Sequence, residues 1–125
     1  MIGYITLGTN DFERAAAFYD ELLSFFEAKR VIETPRMMLW STGKSGRAGI
    51  AIIKPYDKNA ATAGNGTMVS LGVSSPAKVD ELHKKALSLG AQDEGAPGPR
   101  GEGFYGAYFR DLDGNKFCAF CMVTS

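Results

Sequence analysis

Tyr4-Ile5-Thr6-Leu7-Gly8-Thr9-Asn10 and Met68-Val69-Ser70-Leu71-Gly72-Val73-Ser74 are two versions of one phrase. Each alternates polar and apolar residues, breaks, and runs into a helical pattern of similar length. Alternation with period two marks a strand whose two faces meet different surroundings. A strand-helix phrase that recurs within 125 residues predicts two copies of one supersecondary unit, and a site built between them.

Working outward from the repeat, a strand is predicted over 2–8, with Asn10 or Asp11 as the cap of a helix. Phe12, Ala15, Ala16, Phe18, Tyr19, Leu22 and Leu23 recur at helical spacing along it. Strands follow over 25–34, 36–42 and 48–54, with turns at Pro35 and at 42–46. The second copy has a strand over 67–73, then a helix that starts at Ser75-Pro76 and ends at Gly90. Val79, Leu82, Ala86 and Leu87 mark its buried face. A loop rich in Gly and Pro covers 95–103. Strands over 104–110 and 116–123 form a hairpin through Asp111-Leu112-Asp113-Gly114-Asn115, where Asp-Gly is a strong turn signal. The fold class is therefore α+β, with two βαβββ modules: module one about 1–55, a connection about 56–66, and module two about 67–125.

Composition narrows the function. The chain is 45% apolar and 22% charged, which suits one globular domain with a core of its own. Formal net charge is zero and the cations are scattered, so no basic stripe points to nucleic acid. No apolar run approaches the ~18 residues of a membrane span. No basic segment followed by an apolar one opens the chain, and a cytoplasmic location is the default expectation. Cys118 and Cys121 have redox-motif spacing, but on a strand residues three apart point to opposite faces. They read as two separately packed thiols.

Each helix must cover one face of its sheet. The apolar pairs Ile5 and Leu7, Val69 and Leu71 are expected to face the helices. Tyr4, Thr6, Met68 and Ser70 then face the other way. Pairing the hairpin about its turn sets Tyr108 across from Cys118 on that second face, and Phe109 across from Phe117 on the helix side. Trp40 is expected beside Tyr108 on the second face. Tyr4, Trp40, Met68 and Tyr108 fit either a ligand-lined cleft or a packed aromatic and thioether core. Arg100, in the 95–103 loop, could meet an anionic ligand from the rim.

Thr6-Leu7-Gly8-Thr9-Asn10-Asp11 with Glu13-Arg14 and Phe18-Tyr19, and the stretch Tyr105-Gly106-Ala107-Tyr108-Phe109-Arg110-Asp111-Leu112-Asp113-Gly114-Asn115-Lys116, resemble the glyoxalase, bleomycin-resistance and extradiol-dioxygenase superfamily, the vicinal oxygen chelate proteins. The resemblance covers essentially the whole chain. It implies paired modules around a cup with helices outside, and commonly a cup completed by two chains. It also implies, in metal-dependent members, two histidines and two acids around a divalent ion. Those places correspond here to Tyr4, Met68, Cys118 and the strand near Ile50–Ile53. No Asp, Glu, His or Cys occurs anywhere in 34–56, so a shift of register supplies no acid. Hard divalent metals favour oxygen and imidazole ligands, which this set lacks. His83, the single histidine, reads as a helix-boundary residue.

The expectation is a protein that binds a small organic molecule without metal or other cofactor. Its ligand-lining residues would be Tyr4, Thr6, Trp40, Met68, Ser70, Tyr108, Cys118 and Arg100. The alternatives are a lyase or isomerase of the glyoxalase type, and a degenerate member with a structural role. Two modules per chain leave sheet edges to cover, so a homodimer is expected. The 95–103 loop and Gly43-Lys44-Ser45-Gly46 lack the strand and helix context of a phosphate loop. Glu33, Asp57 and Glu102 have no evident catalytic partner.

Overall fold

The structure is a computed structural model and describes residues 1–44 and 47–123. The chain divides into two compact units at the junction of Thr62 and Ala63, inside the expected connection. The described residues form β1 (Tyr4–Gly8), α1 (Phe12–Ser24), β2 (Lys29–Glu33), β3 (Met37–Ser41), β4 (Gly49–Ile53), β5 (Met68–Gly72), α2 (Pro76–Ser88), β6 (Gln92–Pro99), β7 (Phe104–Arg110) and β8 (Lys116–Met122). Each unit is βαβββ, as the repeat predicts. Of the expected turn at 42–46, Ser45 and Gly46 lie outside the described residues.

In the first unit the strand order is β1-β4-β3-β2, with β1 and β4 parallel and the other pairs antiparallel. Asp11 caps α1, its Oδ1 accepting the Arg14 N–H at 3.1 Å. Ala15, Ala16, Phe18, Tyr19, Leu22 and Leu23 are all buried, as their spacing predicts. The row Ile5–Ile50–Trp40–Arg30 shares one face of the sheet. That face meets α1. The Trp40 indole Nε1–H donates to Asp20 Oδ1 at 2.9 Å, and its ring centre lies 5.7 Å from that of Tyr19. Trp40, expected on the opposite face, is thus a helix-side core residue, 2% exposed. Its register with Ile50 and Ile5 sets that face. A buried indole N–H needs an acceptor, and α1 supplies one in Asp20.

The strand expected from residue 25 begins only at Lys29. The end of α1 continues as turns, with Phe26 N–H on the Leu23 carbonyl at 3.0 Å and Glu27 N–H on that of Ser24 at 2.9 Å. Glu27 then reverses the chain at φ 60.

The second unit repeats the order as β5-β8-β7-β6, with β5 and β8 parallel. Ser75 Oγ caps α2 on the Lys78 N–H at 3.2 Å, and Pro76 opens its first turn. Val79, Leu82 and Ala86 are fully buried. Leu87 is only half-buried, and His83 takes a buried position instead. Gly90, at φ 102, stops the helix in the left-handed conformation that favours glycine.

The stretch expected as a loop over 95–103 is mostly strand. β6 runs to Pro99 and pairs with β7, with register breaks between Asp93 and Gly95 and between Gly95 and Gly98. Prolines are tolerated because β6 is an edge strand, where ladder breaks are common. Only residues 100–103 turn, closed by Arg100 N–H on the Phe104 carbonyl at 2.7 Å.

The β7–β8 hairpin has the predicted register, with Tyr108 opposite Cys118 and Phe109 opposite Phe117. Its turn is held by Asp111. Oδ1 accepts the N–H groups of Asp113 and Asn115 at 2.9 and 2.8 Å, and Oδ2 accepts the Asn115 amide at 2.9 Å. Phe109 and Phe117 stack at 5.3 Å with no exposed surface. Their row continues to Val69 and Asp93, and Asp93 meets His83 of α2 at 3.1 Å. That row therefore faces the helix, as predicted.

Candidate functional site

The register of the second unit places Ser70, Cys118, Tyr108 and Gly95 in one row on the face away from α2. Met68 and Lys116 are the next pair on the same face. A Cβ on Gly95 would stand 3.0 Å from the Tyr108 ring, so a glycine there lets the ring lie against β6. Arg100 and Lys116 both approach that ring, with cationic centres 5.7 and 5.5 Å from its centroid. Arg100 is steadied by donating to the carbonyls of Ala96 and Pro99. Among the described residues neither cation has an acidic partner. Glu94 of β6 is tied to Arg110.

Burial raises the Tyr108 hydroxyl above the usual phenol range, and the neighbouring Cys118 raises it further. Burial likewise raises the Cys118 thiol, and the opposing effects of Tyr108, Arg100 and Lys116 do not reverse this. Both groups keep their protons at neutral pH. A protonated thiol is a poor nucleophile, so this pair donates and accepts hydrogen bonds and does not attack. Cys118 has no exposed surface. A molecule on this face would meet Tyr108, Ser70 and Met68 before the thiol.

Of the eight residues expected at the site, Met68, Ser70, Tyr108, Cys118 and Arg100 gather on this one face. Tyr4 and Thr6 lie exposed on the first sheet, on the side away from α1. Trp40 does not join them. Lys116 was missed, although it alternates with Cys118 and so shares its face.

Cys118 and Cys121 are free thiols on opposite faces of β8, Cys121 standing opposite Tyr105 on the helix side. Among the described residues no three of His, Cys, Asp or Glu come together in a way that could hold a metal ion. The positions that resemblance would make metal ligands carry a phenol, a thioether and a buried thiol, and β4 carries no side-chain donor at all. That donor chemistry does not fit a hard divalent metal.

The profile of the Glyoxalase/Bleomycin resistance protein/Dioxygenase superfamily matches residues 1–119. The chain belongs to this superfamily. Among solved structures it is similar to a glyoxalase/bleomycin resistance protein from Albidiferax ferrireducens T118, with 31% identity and a TM-score of 0.85 over 97% of this chain and 98% of that one. It is also similar to a glyoxalase/bleomycin resistance protein/dioxygenase family enzyme from Burkholderia phytofirmans PsJN (22% identity, TM-score 0.80, 97% and 98% covered). A lactoylglutathione lyase from Agrobacterium tumefaciens shares the fold at 21% identity and a TM-score of 0.71, with 97% and 92% covered. No curated protein matches. No described helix is long and apolar enough to cross a membrane.

Proposed function

We propose that this superfamily member binds a small organic molecule, without a metal ion, on the face that carries Ser70, Tyr108 and Met68. One observation carries the reading. The row holds two neutral proton-bearing groups and an aromatic ring flanked by two unpaired cations, with no carboxylate or histidine in register. Such a surface can stack a flat molecule and hydrogen-bond its polar edge. It lacks a base suited to proton transfer near neutral pH.

A thermal-shift and calorimetric screen of small metabolites tests this. Binding that survives chelator treatment, falls by roughly tenfold in Tyr108→Ala, and is retained in Trp40→Phe is the expected result. Binding or turnover that requires an added divalent ion would overturn it, and would favour a lyase or isomerase of the glyoxalase type. A hit unaffected by Tyr108→Ala would move the site elsewhere.

The proposal includes a homodimer. Exposed apolar side chains support it: Tyr4, Val31 and Ile32 in the first unit, Met68 and Met122 in the second. Isolated apolar residues are normal on a surface, but several on sheet strands suit a partner chain. Light scattering at high concentration should give twice the monomer mass.

A further inference from the structure

A depression lies wholly within the first unit, where the chain leaves β1 and β4. It measures about 890 Å³, and its lining includes Thr9, Asn10, Arg36, Lys54, Tyr56 and Lys58. That volume is in the range of ligand sites, roughly 300–1,000 Å³. Three of the lining residues are cations and none is an acid. The acids close by in sequence are engaged elsewhere. Asp11 caps α1 and pairs with Arg14, and Asp57 accepts the Asn59 N–H at 2.9 Å.

The walls are tied together. Asn10 clasps Ala61 through two hydrogen bonds, at 3.0 and 2.7 Å. Lys54 N–H donates to the Arg36 carbonyl at 2.9 Å, and Thr9 N–H to that of Ile53 at 3.1 Å. The cations rest on rings and not on carboxylates: Arg36 lies 5.2 Å from the Tyr56 ring centre, Lys54 5.4 Å from that of Phe12. Among the described residues none of the three makes an ion pair. Tyr56 is 87% exposed, a large flat ring with the Arg36 guanidinium over one side and much of its surface open. Lys58 sits at φ 64, a conformation that lysine rarely adopts. A glycine or asparagine would occupy it with less strain.

We infer that this depression binds a small organic polyanion carrying a flat ring, the chemistry of a nucleoside phosphate. Three unpaired cations around one hollow favour more than one negative charge. An exposed tyrosine at its edge supplies a stacking surface. The strained Lys58 fits the same picture, because there the side chain is kept where the backbone would favour glycine. The site shares no residue with the Tyr108 face, so the two readings stand or fall separately.

The test is calorimetry on the full chain with ADP, pyrophosphate and adenosine as probes, at low and high salt. ADP should bind in the millimolar range or tighter, weaken with salt, and exceed both pyrophosphate and adenosine. Lys54→Gln and Arg36→Gln should each weaken ADP by roughly tenfold. Tyr56→Ala should weaken ADP but not pyrophosphate. Lys58→Gly should weaken ADP while leaving the melting temperature unchanged or higher, which separates the charge from the fold. Tyr108→Ala should leave ADP binding intact. No binding of ADP, equal binding of ADP and pyrophosphate, binding confined to a single-stranded oligonucleotide, or indifference to the cation substitutions would each overturn the inference.

Discussion

In the first unit α1 holds its sheet through a carboxylate: Asp20 accepts from the Trp40 indole and from Arg30, the latter at 2.6 and 2.8 Å. In the second unit a helix histidine meets a strand carboxylate, His83 to Asp93, and Asp80 of α2 accepts from the Tyr105 hydroxyl at 2.7 Å. Topology is the same, but the partners are different. Both units bury an aromatic residue at the equivalent place, Trp40 in the first and Phe109 in the second. By register Trp40 corresponds to Phe109, and both face their helices, whereas Tyr108 corresponds to Leu39 on the other face and has two cations beside it. Two copies of one fold can therefore carry unlike open faces while keeping equivalent helix-side packing.

The largest effects are expected at the two cores. Trp40→Ala in the first unit and Phe109→Ala in the second should each cost about 3–5 kcal/mol in urea unfolding, since both remove a buried ring. A loss below ~1 kcal/mol for Trp40→Ala would return that residue to the open face. Trp40 is the only tryptophan, so native emission should be blue and little quenched by iodide, and should shift to the red on unfolding.

A chemical probe sharpens the contrast on the open faces. Cys118 is buried and its thiol is raised, so alkylation at pH 8 should be slow in the native protein. Removing the neighbouring ring in Tyr108→Ala should speed modification of Cys118 on the order of tenfold or more. The Trp40→Phe variant should not. Equal acceleration in both would mean that the thiol is reached by general opening and not through this face.

Asp20→Ala should cost about 1–3 kcal/mol, because its partly exposed ion pair is screened but the buried Trp40 indole N–H loses its acceptor. The Arg30 guanidinium holds the Asp20 carboxyl below its usual range, with the Trp40 indole adding to the effect against desolvation. Folded and unfolded values then differ in a fixed direction. The stabilisation is present above the unfolded value of about 3.9 and is lost as pH falls through the lower folded one. Wild type and Asp20→Asn should therefore converge in stability at strongly acidic pH. A gap that persists there would assign the effect to packing.

The smallest expected effect belongs to Asp93→Asn. Its carboxyl is lowered first by the Gly95 N–H and then by His83. The sign is the same as for Asp20, with stability lost as pH falls through the lowered folded value. Because Asp93 is solvent-exposed, the acid unfolding curve should shift less than for Asp20→Ala. A larger shift would make the His83–Asp93 pair the stronger of the two anchors.

Period and turn chemistry carry what can be read from the chain alone. Alternation located β1 and β5, helical spacing with Asp11 and Ser75 located both helices, and Asp111-Leu112-Asp113-Gly114-Asn115 set the hairpin register that puts Tyr108 across from Cys118. The sequence did not determine the face of Trp40, because Met37-Met38-Leu39-Trp40 is apolar throughout and period two carries no information when both faces are apolar. Only the ladder that aligns Trp40 with Ile50 and Ile5 decided that, and Asp20 then accepts from its indole. Nor could it reveal β6, whose glycines and prolines read as loop until an edge position and an irregular ladder accommodate them. The hollow around Tyr56 was hidden for a further reason. Thr9 and Asn10, Arg36, and 54–60 come from separate segments with no shared periodicity, and only tertiary folding brings their charges to one place.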